Sequence, residues 1–309
     1  MNKTTAFVFP GQGAQFVGMG RDVFDQYPIA KTAFQTADEV LDFPLSRLIF
    51  EGPEEELRLT KNAQPALVAV AYALLAVARE SVVSLPTPRF VAGHSLGEYT
   101  ALAAAGVVCF ADSVYLARER GRLMYEAGLA RPGTMAAIIG MDEAPLAQVC
   151  RETGVWIANI NSPGQIVISG EIDNINNAAI LAKERGAVKA ITLQVSGAFH
   201  TPLMEPAVAG METAIAKTSF SVPICPVVGN TTAHPLTTAD QIQKELIDQL
   251  CNCIRWQQSV TYMIGEGIDT HYEFGPGKVL AGLARRIDKQ ISTVNIGDAV
   301  GIQGLVSGA

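Results

Sequence analysis

Ser95 has the residue type and the setting of a catalytic nucleophile. It lies in Gly-His-Ser-Leu-Gly at residues 93–97, between an apolar run that predicts a buried strand and an alanine-rich stretch that predicts a helix. Glycines at such a junction permit a tight turn that exposes the serine hydroxyl above the edge of a sheet. The N–H of Leu96, at the start of the helix, is then free to bind an oxyanion. The alternative is a chance Gly-x-Ser-x-Gly in a glycine-rich chain.

A serine hydroxyl needs a base within hydrogen-bond reach, and the chain has four histidines. His94 adjoins the serine and is expected to point away from it, His234 lies in a polar loop, and His271 lies in a predicted core strand. By elimination the expected base is His200, which we place at the end of a strand; a structural histidine is the alternative. No acidic residue presents itself as a third member, so we assign none and expect that a backbone carbonyl can orient the imidazole.

Gln12 belongs to a second glycine-rich turn, at residues 10–15, which follows a short apolar strand over residues 5–9. A dinucleotide-binding loop would have a glycine at position 16, where Phe16 stands, so that cofactor site is excluded. The turn either brings Gln12 to a site at the carboxyl end of the strand or is an ordinary loop.

Composition excludes several classes of protein. The 309 residues are 49% hydrophobic and 17% charged, with a net charge of −7. We find no basic stripe of the kind that binds nucleic acid. The five cysteines are few and irregularly spaced, which favours reduced thiols over a metal site. The longest apolar run, residues 66–78, is shorter than the ~20 residues that cross a bilayer, so it predicts a buried helix. The apolar run at residues 6–9 is too short for a signal sequence, so we expect a cytoplasmic protein without a membrane anchor.

Strand and helix patterns divide the chain into three segments of an α/β fold. After Pro132-Gly133 the long helices give way to short elements in the order βαββαβ, the ferredoxin-like arrangement. We therefore predict a small ferredoxin-like domain at residues 131–195, inserted into a large domain made of residues 1–130 and 196–309. The glycine-, alanine- and serine-rich end after Ile296 is predicted to be loose.

Six segments, taken in order, resemble the malonyl-CoA:acyl carrier protein transacylase family over essentially the full chain. They are residues 9–15 (Phe-Pro-Gly-Gln-Gly-Ala-Gln), 93–99 (Gly-His-Ser-Leu-Gly-Glu-Tyr), 120–121 (Arg-Gly), 161–165 (Asn-Ser-Pro-Gly-Gln), His200, and 275–278 (Gly-Pro-Gly-Lys). The same fold serves as the acyltransferase domains of polyketide and fatty acid synthases. The resemblance implies a large α/β-hydrolase-like domain with a parallel sheet, beside the small domain already predicted.

The resemblance also implies a mechanism. Ser95 would attack the thioester of malonyl-CoA while His200 accepts its proton, and the N–H groups of Gln12 and Leu96 would hold the oxyanion. Coenzyme A would leave, and the phosphopantetheine thiol of holo-acyl carrier protein would accept the malonyl group. In the family an arginine at the position of Arg120 pairs with the free malonyl carboxylate. No tightly bound cofactor is implied, since malonyl-CoA and coenzyme A are substrate and product.

Three further residues matter for specificity or orientation. In related synthase domains a phenylalanine before the histidine accompanies malonyl transfer, so Phe199 favours malonyl over methylmalonyl. Arg255 stands where bacterial members often have glutamine before tryptophan, and the backbone carbonyl of this position is implied to orient His200. Without the resemblance, Arg120 would be interpreted like its neighbours Arg118 and Arg122, as part of a solvated helix face.

Carrier proteins are acidic, so an acidic chain needs a local basic patch to bind one. Two groups of residues are candidates or else ordinary surface: Arg185 with Lys189, and Arg285 with Arg286 and Lys289. Alternative functions remain: malonyl transfer in a polyketide synthase or malonate decarboxylase system, a serine thioesterase or esterase, or a non-catalytic scaffold. Single-site enzymes of this kind can work as monomers.

Overall fold

The computed structural model describes residues 4–307, which form a six-stranded sheet and a four-stranded sheet with helices packed against both. Residues 1–3 and 308–309, which belong to the predicted large-domain segments, lie outside the described residues. The fold is mixed α/β with a parallel sheet, in agreement with the sequence prediction.

The strands of the described part are β1 (Thr5–Phe9), β2 (Phe90–Gly93), β3 (Thr134–Ile139), β4 (Trp156–Ser162), β5 (Gln165–Gly170), β6 (Lys189–Thr192), β7 (Val227–Val228), β8 (Pro235–Leu236), β9 (Thr270–Phe274) and β10 (Ser292–Ile296).

The helices are α1 (Arg21–Gln26), α2 (Pro28–Leu41), α3 (Leu45–Glu51), α4 (Glu54–Arg58), α5 (Thr60–Ser81), α6 (Gly97–Ala104), α7 (Phe110–Ala130), α8 (Glu143–Thr153), α9 (Ile172–Glu184), α10 (Val208–Ala216), α11 (Ala239–Cys251), α12 (Trp256–Gly265), α13 (Val279–Ile287) and α14 (Ala299–Ser307). A 3₁₀ helix at Pro202–Ala207 precedes α10.

The large sheet has the strand order β10-β9-β1-β2-β7-β8, and its strands are parallel except β8. Side chains of β1 alternate between two apolar layers, because successive residues of a strand point to opposite faces. Phe7 and Phe9 pack into the larger layer, with α2, α5 and α7. Ala6 and Val8 pack into the smaller one, with α12 and α13. Both faces are covered, as a parallel sheet requires.

The small sheet has the order β4-β5-β3-β6 with antiparallel neighbours, and its elements follow one another as βαββαβ. Ile138 and Ile168 are buried against α8 and α9 on one face. Met135 and Val167, of opposite parity, face a cleft between the two sheets. The small sheet therefore supplies a wall of that cleft.

Helix α5 contains the apolar run at residues 66–78 that predicted a buried helix, and it begins before that run, at Thr60. Pro65 lies inside the helix and cannot bond to the carbonyl of Lys61, because proline lacks an N–H. Arg118 Nη1 donates to that carbonyl at 2.7 Å. Arg118 is thus not the purely solvated residue that the sequence suggested. By length and hydropathy α5 could cross a bilayer, but 83% of its apolar window is buried, as predicted for a core helix.

The prediction of a loose segment after Ile296 is wrong for its described part, because α14 covers residues 299–307. Asp298 Oδ1 accepts a hydrogen bond from Gly301 N at 2.7 Å, which caps the first turn. Asp22 Oδ2 accepts another from Ala299 N at 2.6 Å, and Ile302 is fully buried. Capping and burial of these few residues outweigh a composition that favours disorder.

Candidate active site

A cleft of about 620 Å³ opens where three neighbouring parallel strands end. β1 leads into the turn that carries Gln12, β2 leads into Ser95, and β7 is followed by Asn230. Ligands bind at the carboxyl ends of strands in such sheets, because loops from adjacent strands meet there. The cleft is the natural candidate for an active site.

Ser95 occupies a sharp turn between β2 and α6, with a positive φ of 50°. Non-glycine residues seldom adopt this conformation, and it projects the side chain into the cleft. The flanking glycines are required for packing: a Cβ on Gly93 would overlap the backbone of Gly97, and a Cβ on Gly97 would overlap the carbonyl of Phe9. The local geometry is that of the strand–turn–helix predicted from the sequence.

His200 Nε2 lies 2.8 Å from Ser95 Oγ. The other ring nitrogen, Nδ1, lies 2.8 Å from the carbonyl oxygen of Gln249. A carbonyl can only accept, so Nδ1 carries the proton and Nε2 presents its lone pair to the serine hydroxyl. Burial, with a contribution from the Arg120 cation, lowers the pKa of His200 to about 3. The imidazole is therefore a neutral acceptor near pH 7.

Two expectations about His200 are corrected. It does not end a strand: β6 stops at Thr192, and His200 lies in an irregular segment with φ 61°. Its Nδ1 partner is the carbonyl of Gln249, in the last turn of α11, and not that of Arg255. The last carbonyls of a helix lack intrahelical partners and are free to accept such a bond. Arg255 is exposed and precedes α12, where its carbonyl accepts from Ser259 N at 2.9 Å.

Arg120 is 1% exposed and extends from α7 toward the nucleophile. Its Nη2 donates to Ser95 Oγ at 3.1 Å and to Gln249 Oε1 at 2.6 Å, and Nη1 donates to Gln64 Oε1 at 2.8 Å. Within residues 4–307 its Nε has no hydrogen-bond partner, and no carboxylate lies within ion-pair distance. Burial lowers the pKa of this guanidinium from its usual value, but arginine remains charged in proteins.

Gly121 explains how a helix-face arginine becomes buried. A Cβ at this position would lie 2.6 Å from the carbonyl oxygen of Thr60. Glycine therefore permits α7 to pack directly on the first turn of α5, which brings Arg120 to Gln64. Arg122, by contrast, lies on the exposed side of α7 and pairs with Glu119 and Glu126, as expected for a solvated face.

Three buried polar residues that the sequence analysis missed surround the nucleophile: Glu98, Asn230 and Gln249. Asn230 Oδ1 accepts from Ser95 N at 2.6 Å, and its Nδ2 donates to Gly93 O at 2.7 Å and to Glu98 Oε1 at 3.0 Å. Gln249 Nε2 donates to Ser95 O at 3.1 Å and to Glu98 Oε2. Burial raises the pKa of Glu98 well above its usual value, with a further contribution from Glu245. Glu98 directly follows Gly97 of the serine motif, and this position was the one sequence feature that could have indicated its role.

Gln12, Leu96 and Phe199 all line the cleft. Gln12 Oε1 accepts from Thr60 Oγ1 at 2.9 Å. Across the described residues, the backbone N–H groups of Gln12 and Leu96 donate to no protein acceptor. Phe199 is 5% exposed, next to His200.

The other three histidines, all within the described residues, form no hydrogen bond with Ser95. His94 Nε2 contacts Asn161 Oδ1 at 2.8 Å, pointing away from the serine hydroxyl. His234 is exposed, and His271 is buried in β9, where burial lowers its pKa to about 4. All five cysteines are free, and over residues 4–307 no three metal-ligating side chains cluster to hold an ion.

Comparison with known proteins places this geometry in a family. Residues 6–296 match the model of the acyl transferase domain. The malonyl CoA-acyl carrier protein transacylase of Bacillus subtilis (strain 168) is 47% identical over 298 residues, which cover 95% of this chain and 93% of the relative. The acyl-carrier-protein-S-malonyltransferase from Bartonella henselae is similar in structure, with a TM-score of 0.94 and 40% identity over 98% of both chains.

A further structure contains a type II polyketide synthase acyl-carrier protein in complex with its malonyl-transacylase. It matches with a TM-score of 0.95 and 37% identity, over 99% of this chain and 100% of that one. The matches extend along nearly the whole chain, and the range of the family model, residues 6–296, includes Ser95, Arg120 and His200. This chain therefore belongs to the acyl transferase domain family.

Proposed function

We propose that this protein transfers the malonyl group of malonyl-CoA to the phosphopantetheine thiol of an acyl carrier protein, in fatty acid biosynthesis. The observation that carries the proposal is the buried Arg120 guanidinium beside Ser95 Oγ, which meets only neutral acceptors within the described residues. A planar cation in this position suits an acyl group that itself ends in a carboxylate. The names of the relatives support the same substrate and acceptor.

In the first half-reaction Ser95 Oγ forms a bond to the thioester carbonyl carbon of malonyl-CoA, and its proton passes to His200 Nε2. The carbonyl electron pair moves to oxygen, which creates a tetrahedral oxyanion. Collapse of this intermediate breaks the carbon–sulfur bond. The departing sulfur takes the proton from His200, so that coenzyme A leaves as a thiol and a malonyl ester remains on Ser95.

The second half-reaction runs the same steps with a different thiol. His200 Nε2 accepts the proton of the phosphopantetheine thiol, whose sulfur attacks the ester carbonyl. The carbon–oxygen bond to Ser95 then breaks, and the proton returns to Ser95 Oγ. Because the Gln249 carbonyl holds the Nδ1–H of His200, the lone pair of Nε2 faces the serine in both halves.

We assign the oxyanion to the backbone N–H groups of Gln12 and Leu96. Their lack of a protein acceptor and their place at the cleft support this role. Ser95 N is not available, since it donates to Asn230 Oδ1. Donors that are already oriented before the reaction stabilise the developing charge without reorganisation.

We also infer that Phe199 disfavours an α-methyl group. Its ring lines the cleft beside His200 and is 5% exposed, so a branched acyl chain would have to displace a packed side chain. Packed interiors tolerate added methyl groups poorly. This supports malonyl over methylmalonyl as the acyl group.

The finer organisation of the chain is part of the proposal. The order βαββαβ and the sheet order β4-β5-β3-β6 support a ferredoxin-like domain at residues 131–195, inserted into an α/β-hydrolase-like domain made of residues 1–130 and 196–309. One relative is named a malonyl CoA-acyl carrier protein transacylase and another the malonyl-transacylase of a type II polyketide synthase acyl-carrier protein, which supports a cytoplasmic location. A single chain holds every proposed reacting group, consistent with a monomer.

We propose that acyl carrier protein binds at a basic edge of the cleft. Arg185 is paired with Glu152, which leaves less free charge at that site. Arg286, on α13, donates to the neutral Gln165 at 2.5 Å and stays exposed near the cleft wall. The α13 group of Arg285, Arg286 and Lys289 therefore fits an acidic partner better than the group with Arg185.

Intact-mass measurement after brief incubation with malonyl-CoA tests the function, with Ser95→Ala as the control. We expect a malonyl adduct that Ser95→Ala lacks and that holo-acyl carrier protein discharges. Release of free malonate in place of transfer would indicate a thioesterase or esterase. No adduct and no turnover from folded wild-type protein would leave only the non-catalytic scaffold. Comparison of carrier proteins from fatty acid, polyketide and malonate decarboxylase systems would identify the pathway served.

A further inference from the structure

Thr60 and Gln64 form a buried hydrogen-bond chain between Arg120 and Gln12. Arg120 Nη1 donates to Gln64 Oε1 at 2.8 Å, Gln64 Nε2 donates to Thr60 Oγ1 at 2.8 Å, and Thr60 Oγ1 donates to Gln12 Oε1 at 2.9 Å. Thr60 and Gln64 are both fully buried. Neither residue lines the cleft, so neither is placed to touch the substrate.

The direction of this chain is fixed by its first member. A guanidinium has donors and no acceptor, so the atom of Gln64 that faces it must be the carbonyl oxygen. The amide nitrogen of Gln64 then faces Thr60, whose oxygen must accept. The hydroxyl proton of Thr60 is then free for Gln12 Oε1, which accepts it at 2.9 Å. Reversing Gln64 would place donor against donor, and reversing Gln12 would take this acceptor away from the Thr60 hydroxyl.

With its oxygen held by Thr60, the side-chain amide of Gln12 is fixed to the wall of the cleft, and so is the turn whose backbone N–H we assign to the oxyanion. Arg120, the proposed anchor for the acyl carboxylate, is thus linked to the oxyanion turn by hydrogen bonds through two residues that touch neither the substrate nor Ser95.

We propose that Thr60 is a positioning residue that couples the carboxylate anchor to the oxyanion turn. The inference rests on the proposed function. Loss of the hydroxyl leaves Gln12 Oε1 without its partner, leaves Gln64 Nε2 with only the sulfur of Met124 at 3.5 Å, and removes the constraint on the turn. The acylation step should slow, because the oxyanion donors are no longer pre-oriented. Malonyl-CoA binding should change little, because Arg120 and the cleft walls remain.

The test is the single-turnover rate of malonyl-Ser95 formation, followed by intact mass. Thr60→Val has the same shape without the hydroxyl, and we expect it to slow acylation about tenfold at saturating malonyl-CoA, within the range for a lost buried hydrogen bond. Thr60→Ser restores the hydroxyl and should return the rate to within about twofold of wild type. Thr213→Val, which removes an exposed helix hydroxyl that bonds only to Ala209 O, is the matched control and should match wild type.

A double-mutant cycle separates coupling from general loosening of the fold. Arg120→Met removes the group that sets the direction of the chain, so adding Thr60→Val should change the acylation rate by less than about twofold in that background. For slow variants, adduct formation is followed by intact mass over hours. If Thr60→Val does not fold by circular dichroism, Thr60→Ala replaces it in both backgrounds.

Each other outcome overturns the inference. A wild-type rate for Thr60→Val, no rescue by Thr60→Ser, or equal effects of the Thr60 substitution with and without Arg120 would each show that Thr60 does not couple the two groups. Absence of an adduct on the wild-type protein would instead refute the proposed function, and the inference would fall with it.

Discussion

Replacing Arg120 by methionine should change acyl selectivity more than it changes catalysis. Methionine has a similar length and no charge, so it fills the space on α7 without offering a partner to a carboxylate. In the free protein the guanidinium meets the neutral oxygens of Gln64, Ser95 and Gln249. Among the described residues no carboxylate lies within ion-pair distance of this guanidinium. A malonyl carboxylate in the cleft would therefore be the first to form an ion pair with it.

The expected magnitudes differ for charged and neutral acyl groups. Removing one partner of a buried, hydrogen-bonded charge pair costs about 2–5 kcal/mol, so malonyl transfer to Ser95 should fall by roughly 30- to 5000-fold. An acetyl group has no carboxylate, and its transfer should lose only what both acyl groups share: the 3.1 Å hydrogen bond from Arg120 to Ser95 Oγ and the link from Arg120 to the oxyanion turn. Each of these contributes about 0.5–1.5 kcal/mol, so acetyl transfer should fall by roughly a hundredfold or less, and malonyl transfer should fall by the further factor given above.

The assay is quench-flow measurement of adduct formation with malonyl-CoA and acetyl-CoA on the same protein samples. Arg122→Met, two residues along the same helix and paired at the surface with Glu119 and Glu126, controls for removal of a cation from α7. It should leave both rates near wild type. Equal losses for the two substrates in Arg120→Met would refute the reasoning, because the guanidinium would then support the site without recognising a carboxylate.

Three other changes test other parts of the site. The pKa of His200 is lowered to about 3, so the base stays unprotonated above that pH, and kcat/KM for malonyl-CoA should show no fall between pH 8 and pH 5; a fall centred near pH 6.5 would contradict this. Gly121→Ala places a Cβ 2.6 Å from Thr60 O and should destabilise the protein by about 1–3 kcal/mol in urea unfolding. Gly282→Ala, with open space around it in a helix, should not destabilise, and equal losses would refute the packing argument. Glu98→Gln can donate as well as accept, so the two amides that it orients lose a fixed direction; we expect about tenfold slower acylation with both acyl groups, and an unchanged rate would show that the carboxylate does not orient them.

The parts of the site that follow a local rule could be predicted from the sequence. The glycines around Ser95 are needed because two backbones touch there, and their spacing is visible in the sequence. The alternation of strands and helices between residues 134 and 192 was likewise readable as βαββαβ. Such signals depend on neighbours in the chain.

The parts that depend on tertiary packing could not be predicted. The carbonyl of Gln249 orients His200 because α11 ends beside it, and any residue type would supply a carbonyl there. Arg120 sits in a run of alternating arginines, and its burial depends on the close contact that Gly121 permits with another helix. Only the resemblance to a known family singled it out. Glu98 lies in the serine motif, but its role requires partners more than 130 positions away in the chain.

The reacting groups stand on irregular backbone, and a polar network with two fixed ends supports them. Ser95 and His200 both have positive φ angles, which cost of order 1–3 kcal/mol each and persist only where surrounding contacts impose them. Arg120 can only donate hydrogen bonds, and both side-chain oxygens of Glu98 accept them here, from Asn230 N, Asn230 Nδ2 and Gln249 Nε2. Gln249 lies between the two, with its oxygen on the guanidinium and its nitrogen on the carboxylate. The orientation of its amide is therefore fixed. The amides of Gln64, beside Arg120, and of Asn230, beside Glu98, are fixed in the same way. A site ordered by donor-only and acceptor-only ends is already oriented before substrate enters, which is the condition for stabilising an oxyanion without reorganisation.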